Sequence, residues 1–361
     1  MVLPLTLTLI SDAFPPARLG VAAGPVLGGA VTEGLSWQWI FWLNVPVGIA
    51  VAVLSALLLR ESHGPRPRLD LPGLLLGAAA LFALTWAPVR APETGWADAE
   101  VVGAFLAGAL LLAAFLAWEA RAPYPMLPLA YFRLRGFAAA NAVIFLQFVS
   151  LIGSLFMITQ FFQLGLGYSP FEGGLRLLVW MAMPMLVAPV GGLAAARVGN
   201  RPVMLMGMLL QGAGLGWLAA VATAGVDYGT LVGPLVVAGV GIALVFPTTA
   251  DAVVAAVPPE DSGVAAGTNS ALREVGGVFG VAVLAAVFAS YGGYASPAAF
   301  TDGFRAAMVV AALVPLVGAV AAALAPGRGA VRSSDRAADP ESSVSESGWA
   351  ASGSAGRGSR G

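Results

Sequence analysis

The chain has 361 residues, of which 58% are hydrophobic and 10% charged, and its mean hydropathy is +0.85. A water-soluble domain carries about 25% charged residues, so most of this surface faces something other than water. The net charge of −1 gives nucleic acid no electrostatic footprint. The absence of cysteine excludes disulfide scaffolds and thiolate chemistry.

In chain order, Met1–Ile10 reads as the tail of an apolar segment, and a short apolar run follows at 18–35. Nine longer runs lie at 38–59, 71–89, 101–118, 137–163, 174–196, 202–223, 229–253, 268–290 and 304–325. About 20 apolar residues in a helix cross a hydrocarbon core of roughly 30 Å. Backbone polar groups in lipid must be satisfied within the segment, so these runs predict helices. No short-period alternation suggests a β-barrel. The expected fold is an all-α polytopic transmembrane bundle. From 327 onward the composition turns to Ser, Gly, Arg and Asp, which predicts a disordered tail. The lone histidine, His63, lies in a polar loop without companion ligands, so no metal site is expected there.

Every basic residue is arginine, and the arginines alternate between connections. Arg18, then Arg60, Arg66 and Arg68, then Arg121, Arg133 and Arg135, then Arg197 and Arg201 mark one set of loops. The other set, "APETGWADAE", "GYSPFEGGLR" and "AGVDYG", is acidic or poor in arginine. The positive-inside rule makes the first set cytoplasmic, and the C-terminal tail with it. Trp37, Trp39 and Trp42 then fall at the outer interface, where indole rings anchor.

The phrase "PPARLGVAAG" at 15–24 returns as "PPEDSGVAAG" at 258–267. Both copies fall in connections predicted to be cytoplasmic and both lead into a small-residue helix. An even number of predicted spans separates them, as a parallel internal repeat requires.

Ionisable groups within a span mark candidate function. Arg273 lies about ten residues into its helix, roughly 15 Å deep. It can meet Asn269 one turn away, as Glu274 can meet Ser270. These groups line a path or clamp helices together. Asp251 follows "FPTTA" near the inner end of its helix, as an interfacial charge or a coupling group. Arg197 and Arg201 flank a turn through Gly199 and Asn200, as a gate latch or an anchor to the inner face. Gly24, Gly28 and Gly29 clear one helix face for close approach, and Pro25 bends the segment.

The stretch "GPVLGG" (24–29) followed by "SWQWIFWLNVPVGI" (36–49) resembles the fifth-helix antiporter motif of the major facilitator superfamily, in its 14-helix drug:proton antiporter branch. "GGLAAARVGNRP", "GYSPFEGGLRLL" and "GTNSALREVGGVFGVAV" are similar to further segments of that family. The resemblance implies proton-driven efflux of drugs or amphipathic metabolites by alternating access, in a cell membrane and without a cofactor. The antiporter motif would be Gly24, Pro25, Gly28 and Gly29, with Arg197, Gly199 and Arg201 forming the cytoplasmic gate loop. Asn269, Arg273, Glu274 and Asp251 would line the path. The cavity wall would come from 137–163, with Asn141, Phe145, Gln147, Phe148, Phe156 and Gln160.

The family would place three more helices and most of a fourth before Met1. The implied parts are therefore a remnant of the first half (1–60), two linker helices (61–128), a six-helix second half (129–326) and the tail (327–361). On this reading the 361-residue product does not export by itself. The alternative is a membrane protein that does not transport. No Walker, HExxH or GxSxG pattern points to an enzyme.

Overall fold

Short polar side chains placed just ahead of the apolar runs set where the helices begin. Asp70 accepts from the Gly73 amide at 3.0 Å, Asp98 from Glu100 at 2.8 Å and Asp227 from Gly229 at 2.7 Å. Ser296 accepts from Ala299 at 3.1 Å. Ser169 and Glu172 form a reciprocal capping box. Pro72, Pro170 and Pro297 sit in first turns, where a missing N–H leaves no bond unmade.

The computed structural model describes residues 34, 38–58 and 70–325, apart from 124, 128, 259 and 260. Its α-helices are α1 (Trp39–Leu58), α2 (Leu71–Thr94), α3 (Ala99–Glu119), α4 (Arg135–Gln160), α5 (Pro170–Val198), α6 (Asn200–Val221), α7 (Tyr228–Val254), α8 (Ser262–Tyr291) and α9 (Pro297–Leu324). Among the described residues, α2 to α9 are long and apolar enough to cross a membrane. The chain is a multi-pass, all-α membrane protein.

The helices outrun the apolar stretches at their polar ends. α8 starts at Ser262 rather than 268, and α9 at Pro297 rather than 304. Hydropathy registers the apolar core of a helix and is blind to its capped first turns. The stub at Met1–Ile10, His63 and the tail from 327 lie outside the described residues, as does the predicted helix at 18–35 except for Gly34.

Packing from α4 onward runs α5–α7–α6–α9–α4–α8 through successive neighbours, and α4 also meets α7. α2 and α3 form their own hairpin, whose α2 leans on α8. Lipid tails are as apolar as leucine, so close van der Waals contact has to hold such helices together. The α4–α8 seam shows how. A Cβ on Gly280 would run into the Val149 carbonyl, and one on Gly276 would lie 2.5 Å from the Phe145 oxygen. Farther along, Phe161 stacks on Phe304 at 4.2 Å, within a cluster that encloses Trp180, Leu215 and Met308.

Candidate functional site

Three helices bring aromatic and charged side chains together near the middle of the bundle. Arg273 is the twelfth residue of α8, roughly 17 Å along its axis. Its guanidinium lies over the ring of Phe148 from α4 at 4.6 Å and over Phe246 from α7 at 5.1 Å. The two rings meet edge to face, with centroids 5.4 Å apart. Each ring offers the cation a negative π face, an attraction that strengthens where water is scarce. The buried Nε of Arg273 has no hydrogen-bond partner, and among the described residues the guanidinium makes no ion pair. An arginine held this deep by two rings is a cation with donors to spare.

Beside it runs a groove of about 560 Å³ between α4 and α8, lined by Ile152, Phe148, Phe156, Arg273, Glu274 and, from α2, Val89. Adjacent residues on a helix diverge by about 100°, so Glu274 points away from Arg273, yet both reach the groove. The result is an apolar trough with one cation and one exposed carboxylate. Phe156 is 41% exposed, and small residues of α8 such as Gly277 and Ala285 leave room opposite it.

The structure places the other predicted site residues differently. Asn269 donates to the Asn141 side chain at 3.3 Å, and Asn141 donates to the Phe137 carbonyl at 3.0 Å. Asn269 is thus spent on a buried α4–α8 amide pair and does not meet Arg273. The expected Glu274–Ser270 hydrogen bond is likewise absent among the described residues. Gln147 is 0% exposed, so neither it nor Asn141 stands on the groove wall. Phe145 packs against Phe279 at 6.3 Å. Gln160 accepts from the Tyr294 hydroxyl at 2.9 Å, beyond the groove near the far end of α4. The wall is aromatic, and its polarity comes from Arg273 and Glu274.

Asp251 belongs to a different place. At the turn between α5 and α6, Gly199 adopts φ +99°, a conformation that strains any residue with a Cβ. Asn200 follows and donates to the Asp251 carboxylate of α7 at 2.6 Å. Arg197 and Arg201 flank this contact with exposed side chains. Asp251 therefore tethers the 197–201 turn to α7 and takes no part in the groove around Arg273. The motif at Gly24, Pro25, Gly28 and Gly29 lies outside the described residues.

Three participants were not singled out from the sequence: Phe246, Asn200 as a donor, and Gln211. Gln211 is fully buried in α6 and donates to Ser150 of α4 at 3.1 Å, while Ser150 donates to the Ala311 carbonyl of α9 at 2.8 Å. A lone glutamine in the apolar run "LLQGAG" was the available signal for it. Phe246 carried none, being one of 18 phenylalanines.

Comparison with known proteins bears on this bundle. A profile of the Major Facilitator Superfamily matches residues 141–355. The tetracenomycin C resistance and export protein of Streptomyces glaucescens is 36% identical over 304 residues, which are 80% of this chain and 56% of that protein. A multidrug resistance protein of Mycobacterium tuberculosis is 33% identical over 79% of this chain and 56% of its own length. The cephamycin export protein of Amycolatopsis lactamdurans is 33% identical over 90% of this chain and 72% of its own length. The chain thus spans little more than half the length of the first two relatives. The Arg273 groove, apart from Val89 of α2, and the 197–201 turn are built on the helices from α4 to α9, and the profile covers nearly all of that same stretch: the chain belongs to the Major Facilitator Superfamily.

Proposed function

We propose that this chain provides the second half of a proton-driven exporter of small amphipathic molecules, working by alternating access in a cell membrane. Relatives named for export of, or resistance to, tetracenomycin C, cephamycin and multiple drugs support that substrate class. The observation that carries the reading is the pairing of Arg273 and Glu274 in one apolar groove at mid-helix. Charges so deep are costly unless they have work to do.

In this mechanism the substrate's apolar body lies against Phe148, Phe156 and Ile152. Glu274 carries the proton, because it is exposed, lines the groove and makes no ion pair among the described residues. Arg273, held by its two rings, lines the same groove as a fixed cation. The 197–201 turn, latched to Asp251 through Asn200, closes the inner side. The positive-inside pattern of arginines supports placing that turn, and the C-terminus, in the cytoplasm. The substrate, the proton and the surrounding lipid are the partners. The chemistry is movement, with no covalent step and no cofactor.

The test is extrusion of a fluorescent amphipathic dye from an efflux-deficient host, with and without a protonophore. It is run on the chain as given and on the chain preceded by first-half helices. In whichever form exports, Glu274→Gln is expected to abolish uphill extrusion while dye exchange at equilibrium persists. Export by neither form, or proton-dependent export that E274Q leaves unchanged, overturns the reading.

A further inference from the structure

At the base of the α2–α3 hairpin, away from the groove, two carboxyl groups meet over one glycine. Asp70 caps the start of α2 and Glu119 ends α3. A Cβ on Gly73 would run into the Asp70 carboxylate and lie 2.8 Å from Glu119 Oε1, so the two acids flank the same small space. Glu119 is 3% exposed.

The hydrogen bonds around the pair are one-sided. Asp70 accepts from the Gly73 amide at 3.0 Å, and from the Trp118 indole N–H at 2.9 Å on Oδ1 and 3.1 Å on Oδ2. Glu119 Oε2 accepts from the Leu127 amide at 2.9 Å, and the Met126 backbone amide bears on the same carboxyl group. Glu119 Oε1 has no hydrogen-bond partner among the described residues, although it shares the space over Gly73 with the Asp70 carboxylate. Among the described residues, the other charge at this end of the hairpin is Arg121, which is turned back on the Ala117 carbonyl at 2.9 Å. Two ionised carboxylates here would leave one buried anion facing another, with no donor between them.

We propose that Glu119 binds a proton on Oε1 and donates it to Asp70, making a proton-bound carboxyl clasp at the base of the hairpin. The donor pattern assigns the roles. Asp70 collects N–H groups and is the ionised acceptor, whereas Glu119 has one oxygen with a donor and one that lacks it. A proton on that oxygen turns repulsion into a charge-assisted O–H···O hydrogen bond. A divalent cation fits less well, because the Trp118 and Gly73 N–H groups point at the carboxylate that would have to bind it. The clasp ties the first turn of α2 to the last turn of α3. Through the Leu127 amide it also fixes the segment leading into α4. Protonation at this end of the hairpin thereby sets how firmly the hairpin is joined to the six-helix bundle.

The sign of the pH effect follows from linkage. A proton bound in the folded state and absent from the unfolded one stabilises at low pH, and that stabilisation is lost as pH rises through the point where the clasp gives it up. The experiment uses the purified full chain in detergent, with infrared difference spectra and thermal unfolding followed from mildly acidic to alkaline pH. The wild type should show the carbonyl stretch of a protonated carboxylic acid that Glu119→Gln lacks. Its unfolding temperature should fall as pH rises, whereas E119Q, whose amide still donates to Asp70, should unfold at a temperature independent of pH over that range. In Asp70→Asn the facing charge is gone, so the same band should vanish at a lower pH than in the wild type; this arm stands if E119Q does not fold. An identical band in wild type and E119Q, or one pH profile shared by both, overturns the proposal.

Discussion

Asn141 and Asn269 show what a single amide does inside a membrane bundle. Each was expected on the strength of its polarity to face a cavity or an ion. Instead they satisfy each other across the α4–α8 seam. Removing one partner strands the other, and an orphaned buried polar group costs about 1–3 kcal/mol. Asn269→Leu should therefore lower the unfolding temperature of the purified protein. The double variant with Asn141→Leu should recover part of the loss, because no polar group is then left unpaired. Additive losses in a double-mutant cycle would mean that the two side chains do not interact. Arg273 is the contrasting residue: its depth was legible from its place in the run, but its two aromatic partners come from earlier helices, more than 20 residues before it in the chain.

Helix contacts here depend on missing side chains. α8 approaches α4 so closely at Gly276 and Gly280 that backbone oxygens occupy the space where a Cβ would stand. Gly280→Val should force the helices apart and destabilise the protein by about 1–3 kcal/mol, the usual scale for overpacking. Gly263→Ala provides the control. It lies in the exposed first turn of the same helix, with nothing near its would-be Cβ. It should leave thermal unfolding unchanged or raise it slightly, since alanine favours a helix over glycine by up to about 1 kcal/mol. Equal destabilisation by both changes would show that replacing a glycine anywhere in α8, and not crowding at the seam, accounts for the effect.

For the whole molecule, eight helices among the described residues are long enough to span, and arginine gathers in alternate connections of the sequence. If loops bearing Arg66 and Arg133 face the cytoplasm, cysteines placed there should resist a membrane-impermeant thiol reagent in intact cells. A cysteine at Thr94, at the opposite end of α2 from Asp70, should react. The native chain brings no competing thiol. Labelling at Arg66 or Arg133 with none at Thr94 would invert the orientation and place the 197–201 turn outside.

Composition and run length by themselves located the eight described spans from α2 to α9, because crossing a bilayer is a local demand on about 20 consecutive residues. They also determined which loops gather arginine. The motifs carried the family. What only the tertiary structure decided is which face of each helix meets which neighbour. These helices are apolar nearly all the way round, so their sequences lack the polar stripe from which an amphipathic helix announces its buried side. That is why Gln147 could be read as a cavity residue and proved to be enclosed. It is also why Asp251 could be assigned to the path but is found bonded to Asn200 of the 197–201 turn. The Asp70–Glu119 pair is the extreme case: its members stand 49 positions apart in sequence and meet because an antiparallel hairpin returns the end of α3 to the start of α2.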